Sequence, residues 1–111
     1  MKHVPWASVL VACSVAGGAH AEFKDGNKLL SEMNGNAYQQ MTALGYVVGV
    51  ADTLDTMTIC APNHVTAGQI HDMVKQFLVE NPGVRHYSGD SIVNRVLSKA
   101  WPCVKSRGQS L

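Results

Sequence analysis

Apolar residues recur at three- and four-residue steps along most of this chain, the period of one buried face of an α-helix. The clearest stripe runs from Ala67 to Glu80. Its apolar members are Ile70, Met73, Val74, Phe77 and Leu78, with Asp72, Lys75 and Gln76 off the stripe. Its start is explicit: Thr66 and Gln69 have capping-box spacing, and Val65 and Ile70 stand at the two positions of a hydrophobic staple. Asn81-Pro82-Gly83 ends it. Tyr87-Ser88 repeats the device, with Ser88 as cap and Tyr87 stapled to Ile92. The helix behind it, Gly89 to Trp101, turns Ile92, Val93, Val96, Leu97, Ala100 and Trp101 inward and stops at Pro102.

Upstream, a longer helix is predicted from Ala37 to Met57, with Met41, Leu44, Val47/Val48, Ala51 and Leu54 toward the core. A short helix capped by Asn27 precedes it, carries Leu29, Leu30 and Met33, and ends at Asn34-Gly35-Asn36. No segment sustains the period-two alternation of a strand, and no repeat or low-complexity tract occurs. The expected fold is therefore all-α, a small bundle of three to four helices with short connections. Gly45 and Gly49 lie one turn apart in the long helix, where each weakens a helix by about 1 kcal/mol relative to alanine. They are expected to admit a second helix at close range, within the chain or across a homodimer. Asp52 and Asp55 follow directly, which argues against a membrane-packing motif.

The N-terminus changes the compartment. Lys2 and His3 open the chain, an apolar stretch runs from Val4 to about Ala16, and Ala19-His20-Ala21 is a small-x-small triplet. This layout reads as a secretory signal peptide, residues 1–21, cleaved after Ala21, with the protein delivered to the periplasm. The apolar run falls short of the roughly 20 residues that span a membrane. Leu10-Val11-Ala12-Cys13 loosely resembles a lipobox whose cysteine would be acylated; the short, Pro5-containing run before it favours the Ala-x-Ala site. Residues 22–104 then form the helical domain, and the polar residues 105–111 are expected to be a flexible tail.

A domain of about 90 residues buries only some 60–65% of its unfolded surface, so a covalent staple helps it. Of the three cysteines in the sequence, Cys60 and Cys103 survive cleavage and read as a disulfide in an exported domain. The full chain carries nine Lys and Arg against eight Asp and Glu, and losing Lys2 brings the balance to zero. That argues against broad electrostatic binding to nucleic acid or an anionic membrane, a local charged patch aside, and the expectation is peripheral membrane contact or none.

Little in the sequence does chemistry. Asp52 and Asp55 share a helix face but have no acid/base partner in view, and read as solvent-facing carboxylates. His64, His71 and His86 lack zinc-ligand spacing, and His71 is expected on the solvent side of its helix. There is no nucleophile motif and no phosphate-cradling loop. The expectation is a protein that is not an enzyme and uses no metal or cofactor. Asn81-Pro82-Gly83-Val84-Arg85-His86-Tyr87 is the most chemically loaded stretch. Arg and Tyr often anchor protein interfaces. Equally, Arg85 could cap the carboxyl end of the preceding helix, and Tyr87 could serve as a staple.

The order of these features resembles a known family. Gly45-Tyr46-Val47-Val48-Gly49-Val50, Cys60-Ala61-Pro62 and Val65-Thr66-Ala67-Gly68-Gln69-Ile70 come first; Phe77-Leu78, Asn81-Pro82, Arg85-His86 and Ala100-Trp101-Pro102-Cys103 follow. Together, from about Leu29 to Cys103, they are similar to the Rap/Tai immunity proteins. The resemblance implies a periplasmic helical protein that binds and occludes a peptidoglycan-cleaving amidase effector of a type VI secretion system. Members commonly carry another cysteine pair where this chain has Met33 and Ala43, so here the first helix must be tethered by the packing of Leu29, Leu30 and Met33. The partner contacts expected from exposure and residue type are Asn63, His64, Gly83, Arg85 and His86. Arg85→Ala and His86→Ala are expected to weaken binding with stability almost unchanged. The competing reading is a small periplasmic helical binding protein or acid-stress chaperone, which would expose apolar surface at low pH.

Overall fold

The computed structural model describes residues 23–104. Residues 1–22, which include the expected signal segment and Cys13, and residues 105–111 lie outside them. Four α-helices run in chain order: α1 (Gly26–Met33), α2 (Ala37–Leu54), α3 (Ala67–Glu80) and α4 (Gly89–Ala100), with a 3-10 turn at Pro82–Val84 between the last two. Among the described residues the only β-type pairings are isolated bridges, so the fold is the expected all-α bundle. Helix α2 packs on α1, α3 and α4. The shared core is built from Leu29, Met33, Ala43, Val47, Ile59, Ile70, Val74, Leu78, Ile92, Val93 and Leu97.

Local capping chemistry fixes the helix starts. At α3 the expected box is present: Gln69 N donates to Thr66 Oγ1 at 3.1 Å, and Thr66 N donates to Gln69 Oε1 at 2.7 Å. Helix α2 uses the same device with asparagine, since Gln39 N donates to Asn36 Oδ1 and Asn36 N to Gln39 Oε1, both at 2.9 Å. The cap of α1 is Asp25 and not Asn27. Its carboxylate accepts from Lys28 N at 2.9 Å, a stronger acceptor at the positive end of a helix than an amide. Ser88 holds the cap position of α4 without capping it: its hydroxyl donates to Ser91 Oγ at 2.9 Å, and Gly89 N donates instead to Lys24 O at 2.8 Å.

Helix α2 differs from the sequence expectation in three respects. It ends at Leu54, not Met57. Leu54 O accepts from the backbone N–H groups of Met57, Thr58 and Ile59, and Thr56 takes a left-handed φ of 65°, which reverses the chain and lays Ile59 into the core. Its buried line runs through Ala43 and Val47, while Met41 is exposed and Leu44, Val48 and Ala51 are half-buried. Ala100 of α4 is likewise exposed. Finally, a Cβ added at Gly45 or Gly49 would meet nothing within 4 Å, so none of the described helices approaches them closely. The close approaches occur elsewhere. A Cβ on Gly26 would lie 2.7 Å from Ile92 Cδ1 and 2.8 Å from Arg85 O, and one on Gly89 would lie 2.8 Å from Tyr46 Oη.

Cys60 and Cys103 are bonded, with their Cα atoms 5.0 Å apart and a sequence separation of 43. Beside them Cys60 N donates to Trp101 O at 2.8 Å, and Ile59 bridges Pro102. The bond thus closes the open end of the α3–α4 hairpin; a loop of this span is worth about 4 kcal/mol in the chain-entropy model. Met33 and Ala43 are both buried in the common core, so packing tethers α1 to α2 there.

Candidate partner-binding site

The connection between α3 and α4 is held on two sides. On the α3 side, Asn81 N and Nδ2 both donate to Phe77 O, at 3.0 and 2.9 Å, closing the helix. Arg85 then folds back over the same end, with Nε donating to Leu78 O at 2.6 Å and Nη2 to Val79 O at 3.1 Å. Carbonyls of a last helical turn lack helical partners and carry partial negative charge, so a guanidinium satisfies both needs. The capping role left open by the sequence is the one Arg85 takes.

On the other side the first residues of α1 and the short segment before it zip onto the connection. Asn27 N donates to Arg85 O and Gly26 N to Tyr87 O, both at 3.0 Å, and Asp25 bridges Ser88. Gly26 is required there because its missing Cβ makes room for the Arg85 backbone. This segment is anchored in turn by Lys24, whose ammonium lies 2.6 Å from the largely buried Glu32 carboxylate and 4.9 Å from the centroid of the Tyr46 ring. Burial, and then the Asp90 carboxylate, push the Tyr46 hydroxyl above the usual tyrosine pKa; a hydrogen bond from the Asp90 backbone N–H acts the other way. No sequence signal marks this strap, because it is made of backbone groups far apart in the chain.

Between these anchors Gly83, His86 and Tyr87 face outward. The His86 and Tyr87 rings are 4.3 Å apart, inclined at 35°. Tyr87 borders a hollow with Ile92, Phe77 and Val84 as a staple would, yet 54% of it is exposed. The knuckle is a fixed backbone presenting an imidazole and a phenol, the geometry of a preorganised contact surface.

Asn63 and His64 are also exposed, but on the turn before α3. The 14 residues of α3 separate them from the first knuckle by about 20 Å at 1.5 Å rise per residue. The five expected contacts therefore form two patches at opposite ends of α3, with Arg85 committed to the helix end. The histidines do not converge, and no group of three potential metal-binding side chains occurs among the described residues. His71, expected toward solvent, is largely covered, its side chain 18% exposed and its Nδ1 3.1 Å from Asp72 Oδ1.

The family model of the Rap1a immunity proteins matches residues 25–103. The chain belongs to this family. The match begins at Asp25, the cap of α1, and ends at Cys103, so it takes in all four described α-helices of the Rap1a bundle and both disulfide cysteines. Membership makes this an immunity protein, of a kind that acts by binding an effector protein and is typically not enzymatic. No curated protein matches the chain.

Proposed function

We propose that this Rap1a-family protein is exported to the periplasm, loses residues 1–21, and neutralises a peptidoglycan-cleaving amidase effector of a type VI secretion system by covering its catalytic cleft. The observation that carries the reading is the family match across residues 25–103. The knuckle at residues 83–87 supports it as the inserting element, because its backbone is tied to both α1 and α3 before any partner arrives. His86 and Tyr87 are its outward side chains, and Asn63 and His64 form a second contact. A standard interface covers about 800 Å² per partner, roughly 30 Å across. One effector therefore reaches both patches only by lying along α3.

The test is inhibition of type VI peptidoglycan amidases from the same genome, followed as release of soluble peptidoglycan fragments. The wild-type protein should abolish turnover at equimolar concentration. The double variant His86→Ala/Tyr87→Ala should need at least about tenfold more protein, a loss of 1.4 kcal/mol, with an unchanged Tm. Full turnover in the presence of excess wild-type protein would remove the proposal. Equal inhibition by the variant would move the contact away from the knuckle.

A further inference from the structure

A groove of about 250 Å³ lies between the end of α2, the turn leading into α3, and Trp101. Ala51, Val65, Ile70 and Trp101 give it apolar walls, and Asp52 and Asp55 stand on its rim. These two carboxylates make no ion pair or hydrogen bond among the described residues. They also sit at the negative end of α2, in its last turn and at its C-cap, where basic residues are the stabilising choice. Helix α2 carries no basic residue to offset them. The amino end of α3 reaches the groove through Thr66 and Ala67 and brings only partial positive charge, part of it already used in the capping box. A chain that keeps two unpaired negative charges against its own helix dipole breaks a local rule, as functional surfaces do.

We infer that this groove is a second docking point that receives one arginine or lysine side chain from the effector, an assignment that rests on the effector-binding reading. The complementarity is specific to an amphipathic cation. An aliphatic stem of three or four methylenes packs on Ala51, Val65, Ile70 and Trp101 while its charged head meets Asp52 and Asp55. An acidic or purely apolar side chain would leave both carboxylates unmatched. The walls are already rigid, since the Cys60–Cys103 bond and the Ile59–Pro102 bridge fix one side and the α3 capping box the other. The groove thus adds a charged pocket beside Asn63 and His64, at the end of α3 away from the knuckle.

Two measurements test it. In the first, the ¹⁵N-labelled protein is titrated with acetyl-Leu-Arg-Leu-amide and with its citrulline counterpart, which keeps the shape and removes the charge. The arginine peptide should shift the amides of Asp52, Asp55, Val65 and Trp101. Its affinity should exceed that of the citrulline peptide at least fivefold and fall in 0.5 M NaCl, and the shifts should vanish in Asp52→Asn/Asp55→Asn. Equal shifts from both peptides, or shifts that persist in the variant, would overturn the assignment. In the second, the amidase that the wild-type protein inhibits should bind that variant at least tenfold more weakly than wild type, although the variant melts at a higher temperature. Equal amidase affinity for both would remove the groove from the interface and leave the immunity reading standing. If no type VI amidase from the same genome binds either protein, the immunity reading fails, and the effector cation falls with it whatever the peptides show.

Discussion

Arg85 is where the structure makes the sharpest departure from a purely interfacial role. Its Nε donates to Leu78 O at 2.6 Å in a partly buried setting, and its Nη2 to Val79 O at 3.1 Å near solvent. Hydrogen bonds from a charged donor contribute about 1.5–3 kcal/mol, and a cation at a helix carboxyl end adds about 0.3–1 kcal/mol. The Val79 bond is exposed and counts for little, so Arg85→Ala should cost about 2 kcal/mol in all. The backbone bond from Asn27 N to Arg85 O survives the substitution. For a domain of this size 1 kcal/mol corresponds to about 4–8 °C, so the Tm should fall by about 8–16 °C. Thermal melts and urea titrations of wild type, Arg85→Ala and Arg85→Lys measure this. Lysine should recover less than half, since it keeps the charge but offers no fork to reach two carbonyls. A loss below about 0.5 kcal/mol, the scale of an ordinary surface change, would refute the capping account. It would also return Arg85 to the set of free partner contacts. This outcome replaces the sequence-based expectation that Arg85→Ala leaves stability almost untouched.

The other predictions concern glycines, the disulfide and pH. Gly26→Ala forces a Cβ against Arg85 O and Ile92 Cδ1 and should cost about 1–3 kcal/mol in urea titration. Gly45→Ala and Gly49→Ala, which meet nothing, should instead raise stability by about 0.5–1 kcal/mol each. A stabilised Gly45/Gly49 variant that loses self-association in sedimentation would identify that face as a homodimer contact. Cys60→Ala/Cys103→Ala should lose up to about 4 kcal/mol of unfolding free energy, and free thiols in the native protein would contradict the staple. The Tyr46 pKa is raised on folding, so its contribution is intact below the ordinary tyrosine value of about 10 and is lost as pH rises through the folded value. Melts of Tyr46→Phe above pH 10 should accordingly show a shallower decline than wild type.

The helical hairpin was legible because its signals are local. The Thr66/Gln69 box and the stripe from Ile70 to Leu78 each span one or two turns, and both stand where the sequence puts them. Helix α2 was harder to read. It is apolar on nearly every face, so periodicity turned Met41 and Leu44 inward, left Val47 and Val48 undivided and passed over Ala43, whereas the buried residues are Ala43 and Val47. The Asp25 cap displaced Asn27 because the bridge to Ser88 draws Asp25 into the extended conformation that a cap needs, a long-range effect without sequence period. The site was legible as residue types and not as an arrangement. Gly83 and His86 face outward with Asn63 and His64, but the length of α3 divides them into two patches. Arg85 could not be assigned from sequence, since a helix cap and an interface anchor want the same side chain. Asp52 and Asp55 are exposed, as their sequence pattern implies; the groove they line with Trp101 joins residues distant in the chain and leaves no local signal.

The central claim is that this Rap1a-family protein stops a peptidoglycan amidase by binding it. The most direct measurement is calorimetric titration of purified type VI peptidoglycan amidases from the same genome with the disulfide-bonded protein, paired with peptidoglycan turnover on the same samples. The account expects a one-to-one protomer stoichiometry, saturable binding, and turnover that falls in step with the bound fraction. Binding heat indistinguishable from dilution, with turnover unchanged at excess protein, would contradict it.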